Sequence, residues 1–223
     1  MMKSVSKPVP GAARLEKLRM HYEDMQRYEQ AARMEGNLLI AGIDEAGRGP
    51  LAGPVVTCAC ILDPERPVYG VDDSKKLSPA RRAQLYDEIL EKCIGFSVGM
   101  TDSGTIDRIN ILNATKEAMR IAAAGLSLRP DLLLIDAVDL KGTGIAVLPI
   151  IRGDSLSVSI AAASIIAKVT RDRIMEAYDQ EYPGYGFSRH KGYGTAEHYD
   201  ALRKMGPCPI HRMTFLRGVV FDA

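Results

Sequence analysis

The apolar run at residues 38–43 ends in two adjacent carboxylates, Asp44 and Glu45, followed by a glycine-flanked arginine in Gly47-Arg48-Gly49-Pro50. A short apolar run with β-branched residues reads as a buried strand. Acids at the end of such a strand lose part of their hydration and repel one another. At about 4 Å and an effective dielectric near 20 the repulsion is roughly 4 kcal/mol, so a cation is needed to offset it. A divalent metal ion is the simplest candidate, and it points to an enzyme.

The remaining periodicities supply the frame around these acids. Leu15, Leu18, Tyr22, Met25 and Tyr28 form a helical stripe that predicts one helix over 14–34, packed on the main body. Extended runs at 38–44 and 54–62, joined by a Gly/Pro-rich link, are expected to pair antiparallel. A polar loop at 72–76 precedes Ser78-Pro79, which opens a helix with Leu85, Ile89 and Leu90 inward. A third strand at 94–101 and a helix at 110–124 follow, the helix leaving at Gly125 and Pro130. Strands at 131–137 and 146–151 come next. Asp154 stands just before a long Ala/Ile-rich helix ending near Tyr182, a loop covers 184–194, and Thr195 caps a short helix to Met205. Three strands and then strand-helix alternation predict an α/β layer with a mixed sheet. Asp44, Glu45, Asp136 and Asp154 all fall at strand ends or just beyond, where distant segments can converge.

At 223 residues, with 46% hydrophobic and 26% charged residues, the chain suits one well-packed core and no membrane span. Residues 1–11 have lysines but no apolar leader core, which predicts a cytoplasmic address. Cys58, Cys60, Cys93 and Cys208 have no zinc-ligand spacing and are expected to be reduced, with Cys58 and Cys60 packing on one strand face. The net charge of +1 hides a basic C-terminal stretch: residues 189–217 hold six Lys or Arg and two acids.

Four carboxylates without nearby histidine or cysteine suit a hard cation, Mg²⁺ or Mn²⁺, better than zinc. Taken singly, Asp154 is equally an N-cap, and Gly47-Arg48-Gly49 is equally a tight turn. Beside a metal site the tripeptide reads as a place where backbone N–H groups approach a phosphate or sugar. Ser74, Lys75, Ser164 and Lys168 are candidate phosphate ligands, although each could serve as a cap, a helix-face charge or a packing residue. The loop from Tyr185 to Gly194 interleaves aromatics, cations and glycines, as a stacking and phosphate-gripping loop does. Within it, His190 is the histidine best placed to touch substrate.

These segments, GIDEAGRGPLAGPVV at 42–56, DDSKKLS at 72–78, LLIDA at 133–137, GDSLSVSIAAASIIAKVTRD at 153–172 and HKGYGT at 190–195, resemble bacterial ribonuclease HII, a type 2 ribonuclease H. They run in family order across nearly all of 38–215. The resemblance implies a ribonuclease H-like fold, a mixed five-stranded sheet flanked by helices with a small C-terminal helical part. Residues 1–37 would be a helical extension and 38–223 the catalytic domain. Asp44, Glu45, Asp136 and Asp154 match the family's metal-binding catalytic acids. Gly47, Arg48 and Gly49 match the tripeptide that reads the ribonucleotide 2′-hydroxyl, and Tyr193 matches the tyrosine that stacks on the next deoxyribose.

The implied reaction is hydrolysis of RNA in RNA–DNA hybrids, and cleavage 5′ to single ribonucleotides in duplex DNA, leaving 5′-phosphate and 3′-hydroxyl ends. Two ions roughly 3.5 to 4 Å apart would activate water and stabilise the leaving 3′-oxygen. The expected partner is nucleic acid, with no membrane and a monomeric chain. Ribonuclease HIII is the nearest alternative, but it resembles a longer protein with an extra N-terminal substrate-binding domain. From another class, a non-catalytic nucleic-acid-binding module would use the acids structurally, and a two-carboxylate glycosidase fits less well without tryptophan.

Overall fold

The computed structural model describes residues 10–221, so most of the stretch 1–11, on which the expectation of a cytoplasmic address rests, lies outside the described residues. Five strands, β1 (Ile40–Ala46), β2 (Val55–Ile61), β3 (Gly95–Thr101), β4 (Leu132–Asp136) and β5 (Ala146–Ile150), form one sheet in the order β3-β2-β1-β4-β5. β2 runs antiparallel to β1 and β3, while β1, β4 and β5 are parallel. The mixed sheet expected from the sequence is present. Its parallel half sends the C-terminal ends of β1, β4 and β5 to the same edge, which is where their acids lie.

Period-two burial sorts each strand between two helical layers. Ala41, Ile43, Leu133 and Ile135 pack with Met119, Ala122 and Ala123 of α5 (Ile111–Ala124) on one face. On the other, Cys58 and Cys60 join Leu85 and Ile89 of α3 (Pro79–Lys92) and the apolar side of α6 (Val158–Glu181), the packing role expected of those cysteines. Closest approach of β1 and α6 occurs at Gly42, where an added Cβ would lie 2.0 Å from the Ser159 carbonyl carbon. Ser78 and Thr195 each accept a hydrogen bond as helix N-caps, as their positions in the sequence suggested, and Asn110, read there as the first residue of its helix, is an N-cap too.

Three local expectations need correction. The N-terminal stripe is two helices, α1 (Pro10–Met25) and α2 (Arg27–Met34), because the Gln26 N–H bonds to Glu23 O at 3.3 Å and tightens the turn there. That break sends Tyr22 and Met25 into the α3/α6 layer and Ala32 into a separate cluster with Ile40, Leu134 and Ile160, leaving Leu15 exposed. Asp154 does not cap the long helix. It sits in a 3₁₀ turn (Gly153–Ser155), and Ser157 caps α6 by accepting from the Ile160 N–H. Finally, residues 103–109 form a helix, α4 (Ser103–Ile109), capped by Asp102, which the sequence reading did not assign.

The C-terminal part holds α7 (Phe187–His190) and α8 (Ala196–Met205). Its own cluster, including Phe187, Leu202 and Ile210, also takes in Leu51, Ala52 and Met175, so it clasps the link between β1 and β2. Among the described residues no helix is long and apolar enough to cross a membrane.

Candidate active site

Register brings the first two acids together. Gly42 of β1 is paired with Leu134 of β4, so two residues further along Asp44 and Asp136 stand side by side on the α6 face. Asp44 is only 4% exposed, and its Oδ1 accepts from the Glu45 N–H at 2.7 Å. Burial, then the neighbouring charges of Glu45 and Asp136, push its carboxyl well above the usual range. Burial likewise raises Glu45, against the pull of Arg48, whose Nη1 lies 3.3 Å from Oε1. The other Glu45 oxygen, Oε2, is buried and has no hydrogen-bond partner among the described residues.

The 3₁₀ turn after β5 is tied to β4 by the Gly153 N–H, which donates to Asp136 Oδ1 at 2.6 Å, and this brings Asp154 to the same edge. Burial and the charges of Asp73 and Asp136 raise the Asp154 carboxyl, with Lys75 Nζ 3.9 Å away opposing them. Burial works against the charge of Lys75 itself, yet Asp73, Asp44, Asp154 and Asp136 outweigh it and hold its pKa above the ordinary value. One ammonium therefore feels the acids contributed by three strands.

Among the described residues no group of three His, Cys, Asp or Glu side chains closes into a ready-made ion cage. An open carboxylate set fits a hard ion that keeps waters and shares its shell with substrate phosphate. Mutually repelling buried carboxylates and the orphaned Glu45 Oε2 are the two features that such an ion would satisfy.

Of the four acids Glu45 borders a cleft of about 480 Å³, whose walls also include Gly47, Arg48, Gly49, Lys75 and Tyr193. Gly47 has φ +95°, and a Cβ there would lie 2.0 Å from Arg171 Nε, so only glycine fits the turn. Tyr193 is 44% exposed, with its ring edge 3.8 Å from where a Gly49 Cβ would be. A cleft of similar volume, about 440 Å³, lies near the start of β5 beside Arg120 and Arg129 and contains no carboxylate.

The other expected substrate contacts divide. Lys75 and Lys168 line the cleft, the latter paired with Asp172 at 2.7 Å. Ser164 is buried beside Asp44, with its hydroxyl 2.9 Å from that of Ser74, which lines the cleft. His190 is not among the residues lining the cleft. It is buried, Nε2 donates to Tyr185 O at 2.8 Å, and Nδ1 accepts from the Gly192 N–H at 3.1 Å. Both ring nitrogens hold the loop's own backbone, which leaves none for a substrate.

Two arginines that the sequence did not single out lie directly behind the tripeptide. Arg171 and Arg212 are 1% and 0% exposed, and neither has an ion-pair partner among the described residues. Arg212 donates to the carbonyls of Gly47, Arg48, Pro50 and Gly53, the last twice. Arg171 donates to those of Ala52, Pro54 and Lys191. Burial lowers their pKa values to about 10 for Arg171 and about 9 for Arg212, still high enough to keep both charged at neutral pH. No sequence signal set them apart: Arg171 stands among the charged residues Lys168, Asp172 and Arg173 of α6, and Arg212 lies in a turn segment after α8.

A family model described as Ribonuclease HII matches residues 41–218, a span that contains every acid and both arginines discussed above. The chain is 57% identical over 192 residues to ribonuclease HII of Geobacter sulfurreducens, covering 86% of this chain and 88% of that one. It is 54% identical over 199 residues to ribonuclease HII of Acetivibrio thermocellus, covering 89% and 78% respectively. Among solved structures, ribonuclease H2 from Pyrococcus horikoshii OT3 superposes with a TM-score of 0.69 at 29% identity, covering 82% of this chain and 97% of that one. The matched span and the identities over most of both chains show that the chain belongs to the ribonuclease HII family.

Proposed function

We propose that the chain is a metal-dependent endoribonuclease that hydrolyses the RNA strand of RNA–DNA hybrids and cuts 5′ to single ribonucleotides in duplex DNA. The ends left would be 5′-phosphate and 3′-hydroxyl. One observation carries the reading: Glu45, one of a group of mutually repelling carboxylates, lines the same cleft as Gly47, Arg48, Gly49 and the Tyr193 ring. Asp44, Glu45, Asp136 and Asp154 would hold Mg²⁺ or Mn²⁺, which when bound supplies an activated water and charge neutralisation at the leaving 3′-oxygen.

The protein's own groups account for selectivity. Only the 2′-hydroxyl distinguishes a ribonucleotide from its deoxy neighbours, and polar backbone groups that bond it are left unpaired by an all-DNA strand. Tyr193 offers an apolar face on which the next deoxyribose stacks. Lys75 and Lys168 add positive charge along the strand's path. The work is that of a monomer in the cytoplasm, a reducing compartment compatible with four free cysteines.

The experiment is incubation with a DNA duplex carrying one ribonucleotide, in Mg²⁺, Mn²⁺ or chelator, beside an all-DNA control. Metal-dependent cleavage 5′ to the ribonucleotide alone is expected. Binding without cleavage in every metal would favour a non-catalytic binding module instead.

A further inference from the structure

Residues 47–54 turn β1 back toward β2, and their carbonyls point inward. Arg212 takes those of Gly47, Arg48, Pro50 and Gly53 at 2.6 to 3.0 Å, Arg171 takes those of Ala52 and Pro54, and the Arg212 N–H takes that of Leu51. Among the described residues, only the exposed Gly49 carbonyl of segment 47–54 has no protein donor. The N–H groups of Arg48 and Gly49 likewise donate to no protein acceptor. A trans peptide is planar, with its C=O and N–H on opposite sides. Holding the Gly47 carbonyl inward therefore turns the Arg48 N–H outward, and holding the Arg48 carbonyl inward does the same for the Gly49 N–H.

All five donors of the Arg212 guanidinium are used in this way. A lysine, with three donors on a point charge, cannot reproduce the fork. Arg212 comes from the segment after α8, more than 150 residues away in sequence, and packs its guanidinium 5.2 Å from the Phe215 ring centroid. It reaches no carboxylate of the site and does not itself line the cleft.

We infer that Arg212 is the positioning residue for ribonucleotide discrimination: by gripping the Gly47 and Arg48 carbonyls it aims the Arg48 and Gly49 N–H groups at the sugar of the bound strand. The inference rests on the proposed ribonuclease reading. It assigns Arg212 no contact with substrate. Donors fixed before binding lose no orientational freedom on meeting the 2′-hydroxyl, so the benefit falls on the ribonucleotide strand and not on DNA in general.

The test compares wild type with Arg212→Lys and with Arg212→Gly, the latter with and without millimolar guanidinium. For each, kcat and KM on a one-ribonucleotide duplex are measured, together with the inhibition constant of the all-DNA duplex as competitor. Expected for Arg212→Lys is a fall of about tenfold or more in kcat/KM with the all-DNA inhibition constant held, and guanidinium should restore Arg212→Gly. Tyr185→Phe, which removes a buried 2.8 Å hydrogen bond to Gly206 O in the same C-terminal part, serves as a destabilised control that keeps the discrimination. Equal losses on both duplexes, or no loss, would overturn the assignment.

A mutation-free arm guards against misfolded variants. In wild type, amide exchange at Arg48 and Gly49 should be fast in the free protein and slowed by the ribonucleotide duplex but not by all-DNA, and equal slowing by both would overturn the inference. A wild type that neither cleaves nor prefers the ribonucleotide duplex would instead overturn the function proposed above.

Discussion

His198 and His211 meet Nε2 to Nε2 at 3.0 Å inside the C-terminal part, both buried. Their tautomers follow from the flanking groups. His198 Nδ1 must donate to Tyr193 O at 3.0 Å, so its Nε2 accepts from His211, whose Nδ1 in turn accepts from the Cys208 N–H at 2.9 Å. This chain of neutral rings, with His190 stacked on His198 at 4.5 Å, holds the backbone that presents Tyr193.

Acidification should destabilise the protein through this pair. Burial lowers both pKa values from 6.5 to about 4, so between those limits the unfolded chain binds protons that the folded chain refuses. Stability is then lost as pH falls from 6.5 toward 4, on the order of 2 kcal/mol per histidine by about pH 5. Asp44, Glu45 and Asp154, raised in the fold, act with the opposite sign. Melting wild type and His211→Gln across this range isolates the histidines: the variant should be less stable at neutral pH and flatter toward acid.

Asp44→Asn should lower turnover by about a thousandfold or more while leaving duplex affinity near that of wild type, because it removes ion-binding charge and not strand contacts. In chelator the variant should also melt higher, since a buried carboxylate repelled by Glu45 and Asp136 is gone. Near-normal turnover would sink the assignment of the acids.

Tyr193→Ala should cost about 1 to 3 kcal/mol of binding to a ribonucleotide flanked by DNA, the range for loss of one aromatic stacking surface. Titration of that duplex against a uniform RNA–DNA hybrid would reveal it as a narrowed preference. Selectivity equal to wild type would remove the stacking role.

Glu29, on α2, is buried against the start of α6, where its Oε1 accepts from Ser157 Oγ at 2.6 Å and the Ser159 N–H at 3.0 Å. A carboxylate there complements the positive end of a 24-residue helix. Glu29→Ala should destabilise by about 2 kcal/mol, and Glu29→Gln, which keeps an acceptor, by less. Urea unfolding with an unchanged m-value would establish this as a folded-state effect.

Gly42→Ala should be among the most damaging single-atom additions. Its Cβ would overlap Ser159 and force β1 and α6 apart, at a cost of about 3 kcal/mol, with loss of activity following the displacement of Asp44 two residues on. Thermal melting would measure it, and a neutral effect would mean the helix yields more easily than close packing implies.

Local chemistry was readable from the chain. Strand 38–44 with its terminal acids, the caps Ser78 and Thr195, and the strand-helix alternation all rest on neighbours in sequence, so periodicity and capping rules reach them. The break at Gln26 was not readable, since a stripe continuing through it looks like one helix until two different core clusters pull its halves apart. His190 looked like a cleft residue because its loop is basic, whereas the fold uses both its nitrogens internally.

The arginines mark the limit most clearly. An isolated arginine reads as surface charge or a phosphate ligand, because burying a guanidinium without a carboxylate costs several kcal/mol unless its donors are satisfied. What satisfies Arg171 and Arg212 is a set of carbonyls assembled by a turn, which no residue type encodes. The sequence by itself determined which side chains carry charge, which segments form strands and which carboxylates stand at their ends. Only the tertiary structure decided that Asp44 and Asp136 share a face and that a C-terminal guanidinium orients the Gly47 and Arg48 peptides, because register and long-range donor geometry exist only once the sheet has closed.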